Sequence, residues 1–435
     1  MKYILSKYVD KKIINENIYL FNYKNGEDCF LKSSDFVESF DLSPGKSIYT
    51  DLIKKGFYVR NDLDEFKILN HNANIEIYGS DTFELTIIPT DACNFSCQYC
   101  YQDGQPHIMN DYGSLFNYIK FTLKKVKLLI INWFGGEPLI CGQNIVEFMK
   151  KVKQECKSNN VLLYSTITTN GSLLSYDLFC ELTKVGIFYY QITLDGLEKT
   201  HNSQRPLKDG GNSFKLILNN LKMIRDKSLL SFVQIVIRVN LSASIYGEFK
   251  LFLEFYKKEF GKDRRFILYI EKVQDWGGEK INNFSDEILL GENEYISAWD
   301  LAIKSNINLP QFFKYNHRTN ICSASREHGF IVNWDLSLHK CTLALYDENE
   351  EIRKLNNVGC ISEKGVPIID NIKQAYWVGI KNQNGSCSEC KLFPQCFGVG
   401  CAYRRLKGNS DDCRRKDLEL LNQLMINENI EEAHL

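Results

Sequence analysis

Short apolar runs alternate with amphipathic stretches through the middle of the chain. Residues 83–89 (FELTIIP), 128–134 (LLIINWF), 162–171 (LLYSTITTNG), 188–196 (FYYQITLDG), 231–241 (SFVQIVIRVNL) and 264–273 (RRFILYIEKV) have the length and the β-branched, aromatic character of strands. Between them, 143–158, 174–185, 212–227 and 246–260 carry apolar residues at helical spacing. Strands that alternate with helices predict a parallel sheet, here a partial (β/α)6 TIM-like barrel. In such architectures functional groups gather at the C-terminal ends of the strands. Upstream, 18–31 reads as a hairpin turning at Asn25-Gly26, and a helix over 46–56 ends at Gly56. Downstream, 306–416 is cysteine-rich and poor in long periodic segments, and a helix follows over about 416–427. The expected organisation is an α/β cap over 1–80, a barrel over 81–305, a cysteine-rich region over 306–416 and a terminal helix and tail over 417–435.

Composition changes this picture little. The 435 residues are 44% hydrophobic and 25% charged with a formal net charge of −1, which suits a globular protein and gives no global pull toward nucleic acid or an anionic membrane. No apolar run approaches the roughly 18–20 residues that span a bilayer, and the N-terminus lacks a secretory pattern. A cytoplasmic enzyme is the expectation.

Cysteine changes it a great deal. Fifteen cysteines without a secretion signal do not read as a disulfide framework. Cys29, Cys141, Cys156 and Cys180 sit among apolar neighbours and read as small buried hydrophobes. Cys93, Cys97 and Cys100 form a C-x3-C-x2-C loop directly after a strand. Three thiolates on one loop can hold three corners of a cubane cluster, which leaves the fourth iron for a ligand. Structural zinc wants four ligands, and the loop holds only three, with His107 near enough to be a fourth.

The loop, with aromatic Tyr99 before its last cysteine, resembles the signature of the radical SAM superfamily. Other strand ends fit that resemblance in order. Gly135-Gly136-Glu137-Pro138 resembles the family's GGE motif, which receives the methionine amino group of S-adenosylmethionine. Thr168-Thr169-Asn170-Gly171 and Thr193-Leu194-Asp195-Gly196 resemble the third and fourth strand-end motifs. His201 and Arg205 match a recurrent H-x3-R spacing, where the arginine pairs with the cofactor or substrate or else braces the loop. Arg238 and Asn240 on the fifth strand are similar to cofactor-contacting positions. The resemblance implies a [4Fe–4S] cluster on Cys93, Cys97 and Cys100. It also implies that S-adenosylmethionine lies against Tyr99, Gly135, Gly136, Glu137, Thr169, Asn170, Thr193, Asp195, Arg205 and Arg238, with a 5′-deoxyadenosyl radical as the hydrogen abstractor.

The later cysteines resemble the SPASM extension of peptide- and protein-modifying members, which carries two auxiliary [4Fe–4S] clusters. By that resemblance Cys387, Cys390, Cys396 and Cys413 hold an outer cluster. Cys322, Cys341 and Cys401 hold an inner one, its fourth position being open, filled by Cys360 or filled by another side chain. A zinc ribbon is the alternative for these cysteines. The pattern departs twice from the family's. Leu336 stands where a glycine is usual, five residues before Cys341, and four residues rather than three separate Cys396 from Cys401.

These features imply a maturase that abstracts hydrogen from a ribosomally made precursor peptide and forms a thioether or carbon–carbon crosslink, with an electron donor such as flavodoxin or ferredoxin. The cap could offer a hairpin edge to that peptide. The alternative is a sulfatase-maturing enzyme that oxidises cysteine or serine to formylglycine. It needs a general base, for which Glu271 and Asp275 on or after the last barrel strand are candidates. A non-catalytic iron–sulfur or zinc protein is the reading from another class, and the strand-end motifs argue against it.

Overall fold

The computed structural model describes residues 1–41, 47–102, 105–276, 288–310, 321–379, 385–408, 413 and 415–433. The chain divides into two compact units, one of residues 1–79, 311–326 and 378–435, the other of 80–310 and 327–377.

The second unit holds the expected barrel. Thr82–Ile87, Leu128–Trp133, Leu162–Thr169, Ile187–Thr193, Gln234–Leu241 and Phe266–Lys272 are parallel and neighbour one another in chain order. Alternation sets the two faces: Phe83, Leu85 and Ile87 are buried, whereas Thr82, Glu84 and Thr86 are only partly covered. Helices over Tyr112–Leu123, Gly142–Ser158, Tyr176–Lys184, Ser213–Lys227 and Ala243–Phe260 follow the first five strands. The helix Gly142–Ser158 buries Ile145, Val146, Met149, Val152 and Cys156, a stripe at helical spacing. Of the four cysteines expected to be buried among apolar neighbours, Cys141 and Cys156 are, whereas Cys29 and Cys180 are only partly covered.

The sheet continues past its first strand. Gly329–Val332 pairs parallel with Thr82–Ile87, and Ser337–His339, Asn357–Ile361 and Pro367–Ile369 add antiparallel strands, making ten among the described residues. The added strands are too short for periodicity to reveal. Leu336, the residue standing in place of the usual glycine, lies at the hairpin before Ser337 with φ +63. The left-handed conformation that favours glycine is therefore kept, at the strain a branched side chain imposes there. Phe397, Gly398 and Gly400, between Cys396 and Cys401, are likewise left-handed.

In the first unit, Lys2–Leu5 lies between Ser39–Asp41 and Tyr58–Arg60, and Val9–Ile14, Asn17–Asn22 and Asp28–Lys32 form a second antiparallel sheet. The predicted hairpin turn is present, with Gly26 at φ +71 donating its N–H to the Asn22 carbonyl at 2.8 Å. The helix Ser47–Lys54 stops before Gly56, which has φ +74. The helix Glu65–Tyr78 is capped by Asp64, which accepts from the Lys67 N–H at 3.0 Å. Its Ala73 and Ile77 pack with Tyr8, Ile321, Phe393, Phe397 and Val399, against which Cys387 and Cys390 are partly buried. Tyr19, Phe21 and Tyr23 pack with Leu392 and Ile426 beside Cys390 and Cys396. The N-terminal residues thus share a core with the cysteine-rich segment, which has little apolar matter of its own. The terminal helix runs over Arg415–Ala433. Among the described residues no helix is long and apolar enough to cross a membrane.

Candidate cluster and cofactor site

The cysteine loop leaves the first barrel strand and is held on both flanks by backbone. Ser96 and Gln98 donate N–H groups to the carbonyls of Pro206 and Gln204 at 2.9 and 3.0 Å, and Lys208 donates to Asn94 at 2.9 Å. On the other side Gly136 and Glu137 donate to Thr90 and Ala92 at 3.1 and 2.8 Å. The glycines are required by this approach. A Cβ at Gly136 would stand 2.3 Å from the Ala92 carbonyl oxygen, and one at Gly135, whose φ is +127, 2.6 Å from that of Thr90. Gly136→Ala is therefore expected to displace the loop at an overpacking cost of about 1–3 kcal/mol and to lose the iron that a cluster on this loop would carry. Wild-type iron content and unchanged thermal unfolding in the variant would refute this.

Cys97 is buried, and Cys93 and Cys100 are partly so. Burial pushes the Cys97 thiol up to about 12, against the opposing influence of Arg205. Burial also raises Cys93, opposed by the Phe95 N–H, which reaches its Sγ at 3.4 Å. The Asn170 side-chain amide lies 4.0 Å from the same sulfur. Three thiols, amide donors at one sulfur and a nearby guanidinium form a donor set that fits an iron–sulfur cluster.

Glu137 is fully buried and its carboxylate is committed to the protein. It accepts from the Leu139 N–H at 2.9 Å, the Thr169 hydroxyl at 2.6 Å and the Asn170 N–H at 2.7 Å. Burial raises its pKa, and those three donors and Arg205 oppose the rise. Its visible work is to clamp the end of the second strand to that of the third. Asn170 then reaches Asn94 in the cysteine loop at 2.8 Å, and Asn94 reaches Ser172 at 2.9 Å. The motif reading did not include Asn94 and Ser172; a polar residue directly after the first cysteine was the available signal.

A second network centres on the Tyr99 hydroxyl. It donates to Asp195 Oδ2, and accepts from Arg205 Nη1 at 2.6 Å and Asn240 Nδ2 at 3.0 Å. Asp195 Oδ1 accepts the Asn240 N–H at 2.7 Å, and Arg205 Nη1 stands 3.8 Å from Asp195 Oδ2. Asp195 and Arg205 are both buried. Burial raises the Asp195 pKa and Arg205 opposes it. Burial works against the charge on Arg205, but Cys97, Tyr99 and Asp195 outweigh it. His201 is buried, and its Nδ1 accepts the Asp195 N–H at 3.0 Å; burial first, then Arg205, hold it well below its ordinary pKa, hence neutral.

Arg238 extends this network. Its Nε donates to Asn240 Oδ1 at 2.8 Å, and its guanidinium lies 5.6 Å from the Tyr269 ring centre. The Tyr269 hydroxyl donates to Glu271 at 2.8 Å. Thr193, buried at the end of the fourth strand, is opposite Arg238 in register. Tyr99, Thr193, Asp195, Arg205, Arg238 and Glu271 are thus connected in one set, and Gly135, Gly136, Glu137, Thr169 and Asn170 in its neighbour across the loop. Asp275 lies beyond the sixth strand's end at Lys272. His107 is engaged elsewhere: its Nδ1 is 3.4 Å from Asp91, and its ring stacks on Trp334 at 4.0 Å.

Among the later cysteines, Cys387, Cys390, Cys396 and Cys413 lie in the first unit. Burial pushes the Cys396 thiol up to about 11, the Gly398 N–H at 3.5 Å opposes this, and Cys390, Cys387 and Cys413 reinforce it. Cys322 and Cys401 belong to the first unit and Cys341 to the second. Buried Asn356 holds the Cys341 backbone twice, each bond 2.9 Å. Cys360 is exposed on the strand Asn357–Ile361. Among the described residues, no three His, Cys, Asp or Glu side chains converge tightly enough for a single metal ion. A cubane, whose thiolates sit on separate corners, demands less convergence.

Residues 87–240 match the family described as the radical SAM superfamily. A cysteine-type anaerobic sulfatase-maturating enzyme of Clostridium novyi (strain NT) is 21% identical over 333 residues, covering 71% of this chain and 84% of the relative. A serine-type anaerobic sulfatase-maturating enzyme of Klebsiella aerogenes is 26% identical over 158 residues, which span 35% of this chain and 39% of that protein. Among solved structures, native anSMEcpe with bound AdoMet and Cp18Cys peptide aligns with a TM-score of 0.57 and 16% identity, covering 81% of this chain and 99% of that one, and so shares the fold.

Proposed function

We propose that this chain, a radical SAM enzyme, is a maturase that oxidises a side chain of a peptide or protein substrate. The observation that carries the reading is the cysteine loop's connection, through Tyr99, Asn170 and Glu137, to the ends of the second to fifth barrel strands. Cys93, Cys97 and Cys100 would hold a [4Fe–4S] cluster, and the strand ends around Thr169, Thr193 and Arg238 would hold S-adenosylmethionine. Together these groups supply, when bound, a reductively generated hydrogen abstractor. The protein's own part is positional: Glu137 and Asp195 fix the strand ends against the loop, and the partly covered face of the sheet offers Arg238, Tyr269 and Glu271 to a substrate. Glu271, already accepting from Tyr269, is the group best placed to take a substrate proton. Cys387, Cys390, Cys396 and Cys413, and separately Cys322, Cys341 and Cys401, would hold auxiliary clusters that carry electrons away.

The cysteine-type relative, matched over most of its length, supports formylglycine formation as the product. A thioether crosslink is the second reading, supported by the cysteine-rich extension. The two separate cleanly. The anaerobically reconstituted protein is incubated with S-adenosylmethionine, dithionite and either a cysteine-containing sulfatase peptide or a peptide with a cysteine and a nearby acceptor residue. Formylglycine formation from cysteine expels sulfur, whereas a thioether keeps it and costs two hydrogens, so mass spectrometry tells them apart. No 5′-deoxyadenosine under any of these conditions would overturn the enzyme reading.

A further inference from the structure

We infer that Tyr8 serves the outer auxiliary cluster, its hydroxyl donating a hydrogen bond to one of the cluster's sulfurs. The inference rests on the proposed cluster of Cys387, Cys390, Cys396 and Cys413. No motif marks Tyr8, which stands in the turn between the strands Lys2–Leu5 and Val9–Ile14. The first unit brings that turn to the cysteines. The Lys7 ammonium donates to the Ser388 carbonyl at 2.7 Å, and the Lys391 ammonium donates to Asp10 Oδ1 at 2.7 Å. Two bonds, one on each side of Tyr8, thus fasten residues 7–10 to the segment 388–391 that carries Cys390. Lys7 Nζ also lies 5.4 Å from the Tyr8 ring centre, so the ring stands close to the backbone that follows Cys387.

The ring is fully buried, in a core with Phe393, Phe397 and Val399 against which both Cys387 and Cys390 pack. Its backbone is fixed as well. The Tyr8 N–H donates to the Ser6 hydroxyl at 3.3 Å, and the Tyr8 carbonyl accepts from the Tyr23 N–H at 2.9 Å. The hydroxyl is the group that the protein leaves unused: it is buried, and among the described residues no hydrogen-bond partner meets it. A buried hydroxyl without a partner is destabilising, and phenylalanine would fill the same space without that cost. The second tyrosine at these cysteines is ordinary by comparison. Tyr23 packs beside Cys390 and Cys396, and its hydroxyl reaches Asp10 Oδ2 at 3.5 Å. For Tyr8, the sulfurs packed against its own core, and the sulfides of a cluster held on them, are acceptors of the kind its hydroxyl lacks.

The consequence is directional. One-electron reduction adds negative charge to a cluster and strengthens each hydrogen bond to its sulfurs. Such bonds therefore stabilise the reduced form more than the oxidised one and raise the potential. A residue of the N-terminal cap thus tunes the cluster that carries electrons away.

The test is an EPR-monitored redox titration of the anaerobically reconstituted full-length protein. Cys413 is exposed, so the signal altered in Cys413→Ala identifies the outer cluster with little disturbance of the core. Tyr8→Phe keeps the ring and removes only the hydroxyl. It is expected to lower the reduced-to-oxidised ratio of that cluster at a fixed potential about tenfold, a midpoint about 59 mV more negative for one electron. Tyr23→Phe should leave the midpoint where it is. In protein reconstituted in deuterium oxide, electron–nuclear double resonance of the reduced cluster should show a deuteron coupling that Tyr8→Phe loses. An unmoved midpoint or a retained deuteron coupling in Tyr8→Phe overturns the inference, as does a Tyr23→Phe variant that moves as far. A hydroxyl that only filled the core would give a phenylalanine variant at least as stable as the wild type, with the midpoint unchanged. A wild-type protein holding only about four irons, or a Cys413→Ala variant that keeps every signal unaltered, would instead overturn the proposed outer cluster.

Discussion

Alanine at Cys93, Cys97 and Cys100 together is expected to abolish cleavage of S-adenosylmethionine while most of the bound iron stays. Among the described residues, no three His, Cys, Asp or Glu side chains converge to replace the loop's thiols. Cys97 is buried within it, and His107 is occupied by Asp91 and Trp334. The loop's backbone does not depend on a cluster for its place, since Ser96, Gln98 and Lys208 bind it to 204–208. The variant should therefore fold. Three four-iron clusters correspond to about twelve irons per chain, and the variant should hold about eight. Iron counting and chromatography for 5′-deoxyadenosine, with dithionite as reductant, check both halves. Residual 5′-deoxyadenosine would remove the loop from the chemistry. About four irons in the wild type would remove the auxiliary clusters.

The barrel was legible because its strands are short, apolar and bounded by turn residues, so period and punctuation agree. Predicted and observed strands differ by only a few residues at their ends. The strand-end motifs were legible for the same reason: each stands where a strand must stop. What each motif residue does was not. Glu137 reads from its motif as a cofactor contact, and only the fold shows that its carboxylate also accepts from Leu139, Thr169 and Asn170. Arg205 and Tyr99 are 106 residues apart in sequence, and no local pattern announces their bond. The core shared by Ala73, Ile77, Phe393 and Phe397 is likewise long-range, and a division made by composition could not reveal it. Leu336 is the opposite case. The sequence marked it as a departure, and its positive φ shows that the turn kept its shape although the residue changed.

Asp195→Ala is expected to be the most destabilising single change in the barrel. Asp195 is fully buried and receives the Tyr99 hydroxyl, the Asn240 N–H and the field of Arg205. Removing it leaves a guanidinium that is buried and cannot shed its proton. Breaking a buried ion pair from one side costs about 3–5 kcal/mol, which for a unit of this size is roughly 6–20 °C in the unfolding midpoint. The reverse change is milder. With Arg205→Met, Asp195 is the orphan, but burial already raises its pKa, so it can take a proton and become neutral. The two partners are therefore unequal: the acid can give up its charge and the base cannot. The double variant Asp195→Ala with Arg205→Met should be more stable than Asp195→Ala alone, because the second change removes the stranded cation. A double-mutant cycle of thermal midpoints on the anaerobic protein reads this directly. Additive effects, or an Asp195→Ala variant as stable as wild type, would show that the Tyr99 hydroxyl rather than the charge pair fastens the loop to the barrel.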